Sequence, residues 1–370
     1  MRRWAAPLAL LLLACDEDPT PAEPAYDFQL PAGFPVPFVP PDNPMTAEKV
    51  ALGKALFSDA RLSGTGEMSC ATCHETAKSF TDGKVTPTGS TGQLVPRNSP
   101  SLANVAYYGT FTWFNPTLTT LEDQVVVPLF GESPVEMGVT GNEAVVLERF
   151  RSDAAMADAF GAAFPDEADP ISFTNIAKAI ASYERTLISG DAPYDRYVAG
   201  DLTALSDAAL RGFDLFFSER LECYHCHSGV NFTTSFRSAL TQHAELDFHN
   251  TGLYNVGGTG AYPGDSPGLV EFSGNPNDAG KMRVPSLRNV AITAPYMHDG
   301  SLATLEDVID MYAAGGRNVT DGPYAGDGRE SPNKSPLVRG FPITPEERAD
   351  VVAFLEALTD VASLELRAAP

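Results

Sequence analysis

Two short segments of this 370-residue sequence carry the residue types for covalent redox chemistry: Cys70-Ala-Thr-Cys73-His74 and Cys223-Tyr-His-Cys226-His227. Each places two thiols three positions apart with an imidazole directly after them. Two thioether bonds from one short turn fix the edge of a porphyrin, and the adjacent His brings its ring beneath the iron. A single motif of this kind suggests c-type haem; two of them, using every cysteine except Cys15, point to it strongly. Zinc is the poorer reading, because ribbon sites bring their Cys pairs much closer in sequence. A thioredoxin-like redox pair would need a βαβ setting, which the pattern lacks. The expectation is two covalently attached haem c groups with His74 and His227 as proximal ligands.

The fifth cysteine closes an export pattern. Arg2 and Arg3 give a positive start, and Ala5 to Ala14 form an apolar run too short to span a bilayer. It ends in Leu12-Leu13-Ala14-Cys15, which resembles a bacterial lipobox, where the Cys is lipidated and becomes the mature N-terminus. The alternative is a plain cleaved signal with an incidental Cys. Residues 1–14 are therefore read as a signal peptide, and 15–44 as a lipid-anchored linker and N-terminal extension. Its acidic, Pro-rich stretch Asp16 to Pro24 offers nothing to bury. The expected location is periplasmic, with membrane contact only through the lipid on Cys15. No cysteine is left over for a disulfide, in a compartment that permits them. A net charge of -23 argues against nucleic acid, whose phosphates would be repelled, and suits a basic protein partner or a small neutral substrate.

Helices must position these motifs. Gly53-Lys-Ala-Leu-Phe57 precedes the first and Gly212-Phe-Asp-Leu-Phe216 the second, each on a helical pattern. This repetition predicts two cytochrome c-like haem domains, 45–200 and 201–370, with the boundary near Gly200. The second of these helices starts at Ser206 as N-cap and carries apolar Leu210, Phe213, Leu215 and Phe217. A helix over Phe173–Ile188 has Ile176, Ile180, Tyr183 and Leu187 at helical spacing. Another, Thr304–Ala314, aligns Leu305, Val308, Ile309 and Tyr312. The last has Thr344 as N-cap, Pro345 at the first helical position, Glu347 closing a capping box, and an apolar face of Val351, Phe354, Leu355 and Leu358. Strand signals are sparse and Ser228 to Gly280 reads mostly as loop, while Gly 31 and Pro 30 imply many turns. The fold class is mainly α, with long ordered loops and little β.

The surroundings of the motifs carry a resemblance. Phe80-Thr-Asp-Gly83, Pro96-Arg-Asn-Ser-Pro100, Val135-Glu-Met137, and Val284-Pro-Ser-Leu-Arg-Asn-Val290 leading into Ala294-Pro-Tyr-Met-His-Asp-Gly300 resemble the bacterial di-haem cytochrome c peroxidase and MauG superfamily, over roughly Leu30 to Leu358. Within it, Asp42-Asn-Pro-Met-Thr46, Trp113-Phe-Asn-Pro116 and Phe248-His-Asn-Thr-Gly-Leu-Tyr254 are most similar to the MbnH-like enzymes of methanobactin operons. The resemblance implies that peroxide drives the two haems to a high-valent state. Classical peroxidases of the superfamily have a His after the first motif that can cap the first iron. No His occurs between His74 and His225 here, so the first haem is expected to stay open to peroxide.

Site roles follow from the same resemblance. Glu136 would move the proton between the peroxide oxygens, Gln124 would orient peroxide, and Pro128 would shape the distal wall; by themselves these residues also read as a loop carboxylate and a helix surface. Tyr312 falls at the position of the second haem's distal ligand, which is Met in electron-accepting peroxidases and Tyr in MauG-like enzymes. A phenolate favours high oxidation states, a thioether raises the potential; Met311 is the runner-up, and a core tyrosine the bland alternative. Trp113, the only Trp after signal removal, would carry charge between the haems, although a lone Trp is also an ordinary core residue, and Phe114-Asn-Pro116 departs from the Asp-Gly of many peroxidases. A calcium ion is implied at Asn98, Thr293 and Pro295, the last two through backbone carbonyls. His298 is expected near the second haem, and His243 and His249 fall in a loop whose course the pattern does not give. The expected function is a hydrogen peroxide-dependent di-haem oxidoreductase that oxidises an exported protein partner, at tryptophan. The rivals are a cytochrome-c peroxidase fed by a small cytochrome or other donor, which would need a Met-ligated second haem, and a non-enzymatic electron carrier, which would need both irons six-coordinate.

Overall fold

The pairing of one helix per Cys-x-x-Cys-His motif with one supporting helix is the frame of the chain, seen in a computed structural model that describes residues 26–241 and 243–368. The signal segment 1–14, Cys15 and the tether to Pro24 lie outside the described residues. Helices α1 (Ala47–Phe57), α2 (Leu121–Phe130), α3 (Glu143–Arg151), α4 (Ala154–Ala163) and α5 (Phe173–Glu184) surround the first motif. After the short α6 (Pro193–Val198), α7 (Asp207–Phe216), α8 (Val270–Ser273), α9 (Leu305–Ala314) and α10 (Pro345–Glu356) surround the second, and α11 (Val361–Ala368) ends the chain. The described strands are two-residue pieces. Antiparallel β1 (Phe248–His249) pairs with β2 (Met282–Arg283), and β3 (Asn318–Val319) with β4 (Gly326–Asp327). The fold is thus mainly helical, and 228–280 is mostly loop.

The two halves repeat one construction. Helix α1 crosses α5 at Gly53, where a Cβ would stand 1.9 Å from the Ala179 carbonyl oxygen. Helix α7 crosses α10 at Gly212, where a Cβ would stand 1.9 Å from the Asp350 carbonyl oxygen. Only glycine lets the backbones approach that closely. Around the first crossing lies a core of Leu52, Leu56, Phe57, Ile176 and Ile180; around the second, one of Phe216, Phe232, Val351, Phe354 and Leu358. Helix α11 returns to the first core, where its Leu364 is fully buried. The extension ahead of α1 packs as well, Phe28 lying with Tyr107 and Ile188.

Caps fall where the side chains predict. Ser206 accepts from the Ala209 amide, and Thr344 with Glu347 forms the capping box of α10. Two expectations change. The helix starting at Phe173 ends at Glu184 rather than Ile188, because the Thr186 and Leu187 amides bond three residues back, to Tyr183 and Glu184, and the Ser189 amide donates to Asn104 Oδ1 at 2.8 Å instead of continuing the helical ladder. On α7 the fully buried side is Ala209, Gly212 and Phe216, while Leu210, Phe213, Leu215 and Phe217 are half-buried. The tight crossing with α10 demands glycine at position 212, with Ala209 and Phe216 one turn to either side.

A second repeat, absent from the sequence reading, sits between the halves. Pro100-Ser-Leu-Ala-Asn-Val-Ala106 and Pro285-Ser-Leu-Arg-Asn-Val-Ala291 each hold a left-handed asparagine, Asn104 at φ 58° and Asn289 at φ 60°. Asn is among the few residues that tolerate this conformation. The Asn104 amide donates to the Leu187 carbonyl at 2.8 Å, and the Asn289 amide to the Leu358 carbonyl at 3.1 Å. The Ser189 amide donates to Asn104 Oδ1, the Asp360 amide to Asn289 Oδ1, and both side-chain amides converge on Ser189.

Replacing Gly212 by Ala should lower stability by about 1–3 kcal/mol, the usual cost of overpacking a tight contact. Thermal denaturation of the haem-loaded variant measures it; an unchanged midpoint would mean the α7–α10 crossing can open without penalty.

Candidate functional site

The first motif opens on a cavity of about 170 Å³ whose wall includes Cys70, Cys73 and His74 together with Gln124, Pro128 and Glu136. Cys70–Thr72 is a single tight turn, closed by the His74 amide donating to the Cys70 carbonyl at 3.0 Å. His74 Nδ1 lies 2.7 Å from the Phe80 carbonyl oxygen. A carbonyl can only accept, so Nδ1 carries the proton and Nε2 keeps its lone pair for a metal. Burial pulls the pKa of this ring down, which keeps it in the neutral, ligating form. His74 is the one histidine in this wall among the described residues.

Gln124 and Pro128 stand four apart on α2 and so share a face. Proline has no N–H, which leaves the Gln124 carbonyl without its helical partner. Glu136 reaches the same wall from the loop after α2. Its own carbonyl accepts from Ser90, and the neighbouring Met137 amide donates to the Pro128 carbonyl at 2.9 Å. Burial raises the Glu136 pKa, with the Arg97 charge opposing.

The second motif opens on a larger cavity, about 580 Å³, within the usual range for cofactor sites of roughly 300–1,000 Å³. Cys223, Cys226 and His227 line it, with Leu305, Val308, Ile309 and Tyr312 of α9, so the whole predicted stripe faces inward. His227 Nδ1 donates to the Phe232 carbonyl at 3.1 Å, repeating the first site, and burial takes its pKa down to about 4. Met311 is turned away, buried among Leu253, Tyr254 and Tyr262. Met282 and Met297 are the thioethers in this wall. Burial pushes the Tyr312 phenol pKa up. None of the four described cysteines is in a disulfide. Paired thiols, a proton-fixed imidazole and an apolar cavity form, in each half, a donor set that fits haem c.

Seven residues, Asn98, Ser99, Pro100, Ser101, Tyr108, Trp113 and Arg283, line both cavities. Trp113 therefore stands between them, its Nε1–H donating to the Asn98 carbonyl at 2.9 Å. Asn98, Thr293 and Pro295 all lie on the second cavity's wall. The Asn98 amide nitrogen donates to the Lys84 carbonyl at 2.7 Å, which leaves Oδ1 as the end suited to a hard cation.

The structure locates the three histidines outside the two motifs. His298 is buried on the second cavity's wall against Trp113, with ring centroids 6.4 Å apart. His249, on β1, pairs with Asp247 at 2.8 Å and borders the same cavity; that hydrogen bond and one to Cys226 raise its pKa to about 10. His243 is exposed. One residue escaped the sequence reading. Glu184 is 4% exposed, lines the first cavity, and its Oε2 has no partner among the described residues. The signal was present: it follows Ile176 and Ile180 at four-residue intervals, an acid on an apolar helix face.

Comparison with known proteins agrees with this geometry. The family described as di-haem cytochrome c peroxidase matches residues 47–203. A cytochrome-c peroxidase named IdrP1 from Denitromonas iodatirespirans is 39% identical, covering 88% of this chain and 85% of its own. The methylamine utilization protein MauG of Methylorubrum extorquens is 36% identical over 86% of this chain and 80% of its own. Among solved structures, a MauG-like protein associated with microbial copper homeostasis superposes with a TM-score of 0.89 at 50% identity, over 92% of this chain and 97% of that one.

Burial holds the Glu184 pKa near 8, with Arg185 opposing and Glu122 reinforcing. The folded protein thus keeps a proton that the unfolded chain releases, and stability falls by up to about 1.4 kcal/mol per pH unit as pH rises from the ordinary carboxylate range towards 8. Glu184→Gln should remove this loss. The variant's thermal midpoint should gain on the native protein's with rising pH and match it in mild acid; parallel profiles would show Glu184 ionised throughout.

Proposed function

The chain belongs to the di-haem cytochrome c peroxidase (MauG) family and is a hydrogen peroxide-dependent di-haem oxidoreductase, and from this premise we propose that it draws its electrons from a protein partner, at tryptophan. The observation that carries this reading is Tyr312 in the second cavity's wall while Met311 lies outside it. A phenolate donor there suits storage of oxidising equivalents, whereas the cytochrome-fed alternative relies on a thioether. That alternative keeps support from the cytochrome-c peroxidase relative and from Met282 and Met297 in the same wall. A strongly positive reduction potential for one haem would favour it.

Two haem c, held through Cys70, Cys73 and His74 and through Cys223, Cys226 and His227, supply one-electron redox chemistry when bound. The protein's part is positioning and proton movement. Glu136 takes the proton from one peroxide oxygen and delivers it to the leaving one, and its raised pKa suits a group that must both accept and donate. Gln124 offers its amide to orient peroxide, and Pro128 limits the room around it. Trp113 connects the two cavities for charge. A calcium ion on Asn98, Thr293 and Pro295 would fix the wall beside Trp113. Reducing one hydrogen peroxide to two waters consumes two protons and two electrons, the latter from the partner. We further propose two haem domains divided near Gly200, export to the periplasm, and anchoring through Cys15.

Glu136→Gln should slow the reaction with peroxide by about 10²–10⁴-fold while leaving haem content unchanged, in stopped-flow absorption measurements. An undiminished rate removes Glu136 from the proton pathway. Tyr312→Phe should alter the low-spin absorption and paramagnetic resonance signals of the second haem. A normal spectrum with normal oxidation of candidate partners, followed by mass spectrometry, would overturn the ligand assignment and with it the choice between readings.

A further inference from the structure

The second cavity is linked to the surface by an unbroken run of aromatic rings. Tyr262 lines the cavity beside His298, with ring centroids 6.1 Å apart. Tyr254 follows at 5.5 Å from Tyr262, and Tyr324 at 6.0 Å from Tyr254. Tyr262 and Tyr254 are each 7% exposed, while Tyr324 is 39% exposed. Three phenols thus step from the cavity wall to solvent. Inward, His298 continues the run to Trp113 at 6.4 Å.

Each buried phenol has a definite hydrogen-bond partner. The Tyr254 hydroxyl donates to Asp299 Oδ2 at 2.6 Å, and the Tyr262 hydroxyl to Asn250 Oδ1 at 2.9 Å. The guanidinium of Arg317 lies 4.4 Å over the Tyr254 ring. A cation so placed penalises positive charge on that ring, so an electron can leave Tyr254 readily only if the proton leaves with it. Asp299 is already positioned to take that proton.

We propose that Tyr324, Tyr254 and Tyr262 form the electron entry route from a surface-bound donor to the second site, with Tyr324 as the contact point for the donor's oxidisable aromatic side chain. The proposal rests on the function argued above and adds its place of entry. After peroxide has oxidised the protein, an electron passes inward from Tyr254 across the Tyr262 ring, whose phenol keeps its proton on the hydrogen bond to Asn250 and is not itself oxidised. The Tyr254 proton moves along its existing hydrogen bond to Asp299 and returns when an electron arrives from Tyr324; the exposed Tyr324 releases its proton to water and takes one back when the donor reduces it. Two passages deliver the two electrons that one peroxide consumes.

The test treats haem-loaded protein with hydrogen peroxide in the absence of donor and maps oxidised residues by mass spectrometry. Native protein should accumulate hydroxylated or cross-linked Tyr324. Tyr254→Phe, which cannot be oxidised at that step, should lose this modification while the absorption change caused by peroxide persists. Tyr324 modified equally in the variant, or left clean in native protein while another surface residue is oxidised, would overturn the route. An absent absorption change in native protein would instead count against the peroxide-driven reading itself. If Tyr254→Phe fails to fold, the exposed Tyr324→Phe decides: it should slow oxidation of a tryptophan-bearing peptide, and a native rate rejects the proposal.

Discussion

The arrangement of the molecule depends on two buried asparagine side chains that tie equivalent turns together. Asn104 and Asn289 are both fully buried, and each bonds the chain just beyond a supporting helix. Each amide has a donor end and an acceptor end, and Ser189 receives the donor end of both. Leaving one such group unpaired in the interior costs about 1–3 kcal/mol, so any slip of one half against the other is opposed. The junction keeps the two cavities in one relation.

That relation matters because the cavities share a wall. Trp113 can line both only if the turns carrying Asn98–Ser101 and Val284–Arg288 meet, and Arg283 binds that meeting place. Its amide donates to the Trp113 carbonyl at 2.7 Å and its Nε to the Thr112 carbonyl at 2.9 Å. A hydrogen-bonded junction lies between the cavities, and Glu136 lines only the first of them.

Much of the site was legible because its chemistry is local. The Cys-x-x-Cys-His turns, the caps at Ser206 and Thr344, and the inward stripe of α9 are set by residues within one or two helical turns of each other. The end of α5 was not legible. It is decided by Asn104, about eighty residues upstream in the chain, whose Oδ1 takes the Ser189 amide out of the helical ladder. Glu184 was missed for a similar reason: an acid on an apolar face can be read as an error of pattern until a cavity is seen in front of it.

The amino-acid sequence alone determined that two thiols and an imidazole share one turn in each motif, a local arrangement that needs no distant partner to be recognised. It also determined that the halves repeat, through Gly53 and Gly212. Only the tertiary structure decided which side chains look into the same space: Tyr312 rather than Met311, Glu136 with Gln124, Trp113 beside both cavities. Those are relations between residues far apart in the chain, fixed by how helices cross and turns interlock, and no local spacing encodes them.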